Sequence, residues 1–155
     1  MKKILILLMM SFLLIHCEGE SKYEDYDLMK HGLPIKIKAP AEPEVKVTDM
    51  GIAKDVTVKK GEAYNIQIIS SAAMNYNVGE LIENHKGEVQ SAAYFSEIIQ
   101  EDENGFLFER KIDENNISYD FRVVKIIGDN EYNFQRGMQG KFSKEDVMDM
   151  YDSVR

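Results

Sequence analysis

A single cysteine, no tryptophan and three prolines among 155 residues define what this chain does without. One thiol, Cys17, leaves no disulfide possible within the chain, so the fold has to rest on its hydrophobic core. Long apolar runs are also lacking. The longest, Ile4 to Ile15, is interrupted only by Ser11 and falls well short of the ~20 residues that a helix needs to cross a bilayer. Cations are outnumbered, 19 Lys and Arg against 27 Asp and Glu, giving a net charge of −8. That balance argues against nucleic acid and against electrostatic docking on anionic lipid, both of which require basic patches. Histidine is scarce, at His16, His31 and His85, and none is spaced to join a metal or a nucleophile. No H-E-x-x-H, G-x-S-x-G or glycine-rich phosphate loop occurs, so neither enzymatic activity nor a cofactor is expected.

What is present begins at the N-terminus. Lys2 and Lys3 precede the apolar run, and polar residues start directly after Cys17. A basic segment followed by 7–15 apolar residues is the pattern of a secretory signal. Residues 1–16 are therefore expected to be a signal peptide, whose removal takes away two lysines and no acid, moving the net charge from −8 to −10. Leu14-Ile15-His16-Cys17 resembles the lipobox of bacterial lipoproteins, with leucine at −3 and, at −1, histidine in place of a small residue. Short permissive lipoboxes of this kind are similar to those of Bacteroidota. The resemblance implies acylation of Cys17, anchorage in the bilayer through it, and residence in the cell envelope, most naturally at the outer membrane. Each buried acyl CH₂ contributes ~0.8 kcal/mol, so several chains hold a protein durably.

Residues 17–32 carry the cysteine and then five acids, and read as a flexible tether. Glu18 and Glu20 stand where the surface-export signal of Bacteroidota lipoproteins would lie; a plain solvated linker is the other reading. One folded domain is expected over 33–155, a length that buries roughly two-thirds of its unfolded surface.

Within that domain the hydrophobic period is mostly two. Ile35 and Ile37 alternate with lysines, Val56 with Val58, and Tyr64, Ile66 and Ile68 with polar residues, as in half-buried antiparallel strands. Between about 71 and 92 the spacing shifts to three and four through Met74, Val78, Leu81, Ile82, His85, Val89 and Ala92, predicting a long helix capped by Ser70 or Ser71. His85 lies at the edge of that stripe, where packing against the sheet is the simplest role. Strands return at 95–100, 106–112, 117–127 and 131–136, joined by the turn-rich EDENG, DENN and GDN. EDENG lacks the spacing of a calcium loop. Ser143 and Asp146 form a near-match to a capping box and open a closing helix over about 144–154, with Val147, Met150, Tyr151 and Val154 on one face.

The expected fold is thus α+β: an antiparallel sheet of about seven or eight strands flanked by two helices. Its element order, and the ending GKFSKEDVMDMYDSV above all, resembles the PsbP-like fold. Two functional expectations follow. The first is a non-catalytic envelope module that binds another envelope protein. The second is a small-ligand carrier with a pocket between the long helix and the aromatic strands, lined by Phe106, Phe108, Tyr132 and Phe134.

Overall fold

The computed structural model describes residues 22–155; Cys17, Glu18 and Glu20 lie outside the described residues. Nine strands and two helices follow one another as β1 (Glu24–Asp27), β2 (Lys36–Ala39), β3 (Glu44–Asp49), β4 (Ala53–Lys60), β5 (Tyr64–Ala72), α1 (Val78–Ser91), β6 (Phe95–Asp102), β7 (Gly105–Asp113), β8 (Asn116–Ile127), β9 (Asn130–Arg136) and α2 (Lys144–Val154). Seven strands form one antiparallel sheet in the order β3-β4-β5-β9-β8-β7-β6, while β1 and β2 pair separately. The chain is α+β, and the sheet has the expected strand number. Among the described residues no helix is long and apolar enough to cross a membrane.

Period-two patterning puts one set of side chains on each sheet face, and the register shows which. On one face Val56, Val58, Ile66, Ile68, Leu107, Phe121, Val123, Tyr132 and Phe134 pack beneath α2 and the β1-β2 hairpin. On the other, Phe106, Phe108 and Val124 meet Ile82 and Val89 of α1. Residues 101 and 102 show the alternation directly. Glu101 Oε1 accepts a 2.7 Å hydrogen bond from Lys86 Nζ of α1, whereas Asp102 Oδ2 accepts one of 2.6 Å from the Tyr151 hydroxyl of α2. One strand end therefore fastens a helix on each side.

Two expectations need correction. Residues 22–32 are part of the folded body: β1 pairs with β2 from Glu24↔Ala39 to Asp27↔Lys36, and Tyr23 and Leu28 are buried in the larger core. The physical reason is that β1 exposes its acids Glu24, Asp25 and Asp27 while the flanking Tyr23 and Leu28 turn inward. The long helix is also shorter than its spacing suggests. Chain 64–72 is held in the sheet by ladders to β4 and β9, so the strand runs through Ser70 and Ser71. The helix cap is Asn77, whose side chain accepts from the Glu80 backbone N–H at 3.2 Å. Met74, expected on the apolar stripe, is exposed in the connector. The closing helix starts and ends where the sequence places it, with both halves of the Ser143–Asp146 capping box formed.

Candidate functional site

The aromatic pocket expected from the strands does not assemble. Phe106 pairs with Arg122 on β8, whereas Phe134 pairs with its neighbour Val123. Adjacent residues of a strand face opposite ways, so Phe106 and Phe108 lie under α1 and Tyr132 and Phe134 lie under α2. All four are at most 1% exposed and serve as core.

The free surface lies elsewhere, where α1 stops covering its face of the sheet. That helix sits over β8, β7 and β6 and leaves β3, β4 and β5 open. The uncovered positions are polar. Gln135 Nε2 donates to Gln67 Oε1 at 2.7 Å, and Gln67 Nε2 donates to Asp55 Oδ2 at 2.7 Å, a chain of side chains across β9, β5 and β4. Lys46 and Thr57 lie next to each other in the same rows.

A strap between β9 and α2, residues 137–142, walls this face. Its path is set by Asn65, whose carbonyl accepts from Gly137 N at 2.7 Å and whose Nδ2 donates to Gln139 O at 2.8 Å. Glycine at 137 leaves room for the Asn65 side chain, which a Cβ there would push away from its bond to Gln139. Between strap and sheet runs a groove of about 440 Å³ lined by Glu44, Lys46, Thr57, Gln67 and the strap backbone. A second groove of about 440 Å³ lies behind the strap, against Arg136, Lys141 and the β7–β8 turn. Arg136 stacks on Phe142 at 5.3 Å, and Met138, 83% exposed, stands between the two grooves. Asn65 Oδ1 and Arg136 Nε are buried with no hydrogen-bond partner among the described residues.

Comparison of the chain with protein-family models, with curated proteins and with solved structures finds no match. The chemistry of the surface is the remaining guide.

His85 takes its expected place: it is half-buried, with Nε2 3.1 Å from Asn133 Oδ1 on β9 and Nδ1 3.5 Å from Glu88. EDENG forms the β6–β7 turn, and Asp102 within it is engaged by Tyr151 and by Arg155 at 2.8 Å. The Tyr151 hydroxyl and the Arg155 guanidinium hold the Asp102 carboxyl below the usual carboxylate range, while burial and that same carboxylate push the Tyr151 hydroxyl far up. Among the described residues no group of three His, Cys, Asp or Glu is placed to hold a metal. Lys125, half-buried over the Phe134 ring at 5.8 Å, has its ammonium pushed down by burial. These groups tie elements together. The arrangement that faces solvent ready for a partner is the polar half-face, its groove and the strand that borders them. Nothing in the sequence periodicity pointed there, because the polar residues of an alternating strand read as plain solvent face.

Proposed function

We propose that this chain is a lipid-anchored lipoprotein of the cell envelope whose folded body is a non-catalytic protein-interaction module. The observation that carries the reading is the uneven cover of the sheet. One face is packed under α2 and the β1-β2 hairpin, whereas half of the other, with a 440 Å³ groove and an edge strand beside it, has no occupant among the described residues. The anchor rests on residues 1–17: a basic start, an apolar run and Leu14 three residues before Cys17. In this reading 1–16 leave as signal peptide, acylated Cys17 enters the outer membrane from the periplasmic side or the cell surface, and Glu18 and Glu20 direct surface display. Because Tyr23 is buried in the folded body, only the five residues 18–22 separate it from Cys17, which would hold the domain close to the bilayer. The succession of strands, helix, strands and closing helix also supports likening the body to the PsbP-like fold.

The carrier reading loses its support, because its four lining aromatics are divided between the two faces of the sheet. Metabolic labelling with radioactive palmitate tests the anchor: Cys17→Ser should abolish incorporation, and persistent label would show that another residue, or none, is acylated. In-cell cross-linking followed by pull-down tests the module. A specific envelope partner, or a second copy of the chain, is expected, and recovery of neither would remove the interaction role.

A further inference from the structure

The two edges of the seven-stranded sheet are not alike. At one end β6 pairs with β7 through two register shifts, between Phe95 and Glu97 and between Ile98 and Gln100. Such irregularities blunt an edge against further pairing. At the other end β3 runs in unbroken register along β4 from Glu44↔Lys59 to Asp49↔Lys54. Its far side is unpaired among the described residues, and Glu44, Lys46, Val47, Thr48 and Asp49 are exposed.

The turn between these strands tells which backbone groups are free. Met50 N donates to Ala53 O at 2.9 Å, closing a two-residue loop in which Gly51 adopts φ +80°. Hydrogen-bonded pairs alternate along an antiparallel ladder. Counting back from Met50–Ala53, residues 48, 46 and 44 bond to β4, so Val45, Val47 and Asp49 direct N–H and C=O outward. A second strand can bond there without disturbing the first.

Side chains then select the occupant. We propose that β3 pairs antiparallel with β3 of a second copy of this chain, with Val45 opposite Val45 on the two-fold axis. In that register Glu44 of each copy lies opposite Lys46 of the other, forming two ion pairs on the groove face. Val45 meets Val45 and Val47 meets Pro43 on the opposite face. The two Val45 residues exchange both backbone hydrogen bonds, and each Val47 N–H reaches the Pro43 carbonyl of the other copy. Pro43 has no N–H and so ends the ladder. Shifting the axis to Lys46 would oppose the two lysines. Shifting it to Val47 would set Asp49 against Val45 and leave no ion pair. The sequence Glu-Val-Lys is self-complementary when read antiparallel, and here it lies on the edge whose register is unbroken. This inference deepens the interaction reading by naming its partner, and its failure would leave the palmitate test and the recovery of other partners untouched.

Register-specific disulfide trapping tests it in the full chain. Opposed residues of a hydrogen-bonded pair have Cα atoms ~5.5 Å apart, within disulfide reach. Val45→Cys should therefore give a covalent homodimer under mild oxidation in intact cells, above the level seen with the wild-type chain. Val47→Cys should not, since the two Val47 positions would be offset by four residues, roughly 13 Å along the strand. Adding Lys46→Glu to Val45→Cys should lower the dimer yield roughly tenfold by setting like charges opposite one another, and adding Glu44→Lys as well should restore it. Circular dichroism of each variant separates lost pairing from lost folding. Equal trapping at 45 and 47, a folded Val45→Cys chain that stays monomeric or is trapped on a foreign protein, or failure of the double swap to restore the yield would each overturn the proposal.

Discussion

The two faces of the sheet are built from the same strands, yet they hold their helices in different ways. Beneath α2 and the β1-β2 hairpin lies a continuous core of twenty buried residues that reaches from Val56 on β4 to Leu107 on β7. Beneath α1 lies a core of five, confined to β7, β8 and the helix itself. The difference follows from helix composition and placement. Val147, Met150, Tyr151 and Val154 of α2 are all buried over the central strands, whereas α1 buries only Ile82 and Val89 and sits over β8, β7 and β6. A helix needs only as much apolar surface as the face it covers, and α1 covers less than half of its face. What it leaves bare is the polar surface on which the proposed partner site stands.

That contrast can be broken deliberately. The largest effect should come from the larger core: Phe121→Ala removes a fully buried ring that packs 5.9 Å from Tyr151 and should cost about 3–5 kcal/mol by urea denaturation. Ile82→Ala on the smaller face should cost less, about 2 kcal/mol, because α1 can settle into the space its partial cover leaves. Native-state hydrogen exchange on that variant should show α1 opening well before α2. Equal protection of the two helices would erase the distinction drawn between the faces.

A smaller loss is expected at the helix starts. Ser143→Ala removes a hydroxyl that accepts from Asp146 N at 3.1 Å and should destabilise the protein by about 1 kcal/mol. Asn77→Ala should act through α1 by no more than that, and here the midpoint of thermal unfolding is the measurement. The mildest change is expected at Asp102. Its carboxyl is held below the ordinary value of 3.8, so the bond to Tyr151 contributes above that value and is lost as the pH falls through the lower, folded-state value. The urea midpoint of the wild type should therefore drop more steeply than that of Asp102→Asn below about pH 4, and the two slopes should agree above it. Divergence near neutrality would place the titrating group elsewhere.

Much of this architecture is readable in one dimension because hydrophobic period is local. Val56-x-Val58 and Tyr64-x-Ile66-x-Ile68 announce strands without any neighbour, and Ser143-x-x-Asp146 announces the start of α2 through bonds that span three residues. Tyr23 and Leu28 give no strand signal of their own, because they flank a segment with three acids and their burial depends on β2 and α2 arriving from elsewhere in the chain. The start of α1 is hidden from the sequence for a related reason. Residues 71–74 fit a helical spacing, but a ladder shared with β4 and β9 outbids a propensity that the isolated segment would follow.

Sequence alone determined the strand-forming segments, the N-cap of α2 and the α+β class, since each depends on residues within a few positions of one another. Tertiary structure alone decided sidedness. Phe106 and Phe134 are equally aromatic and equally buried, and nothing local says that a sheet lies between them. Only the pairing of β8 with β7 and with β9 assigns neighbouring residues of one strand to opposite cores. The pairing of β4 with β3 and with β5 likewise leaves β3 at the edge with its outward N–H and C=O groups free, for whatever strand comes to meet them.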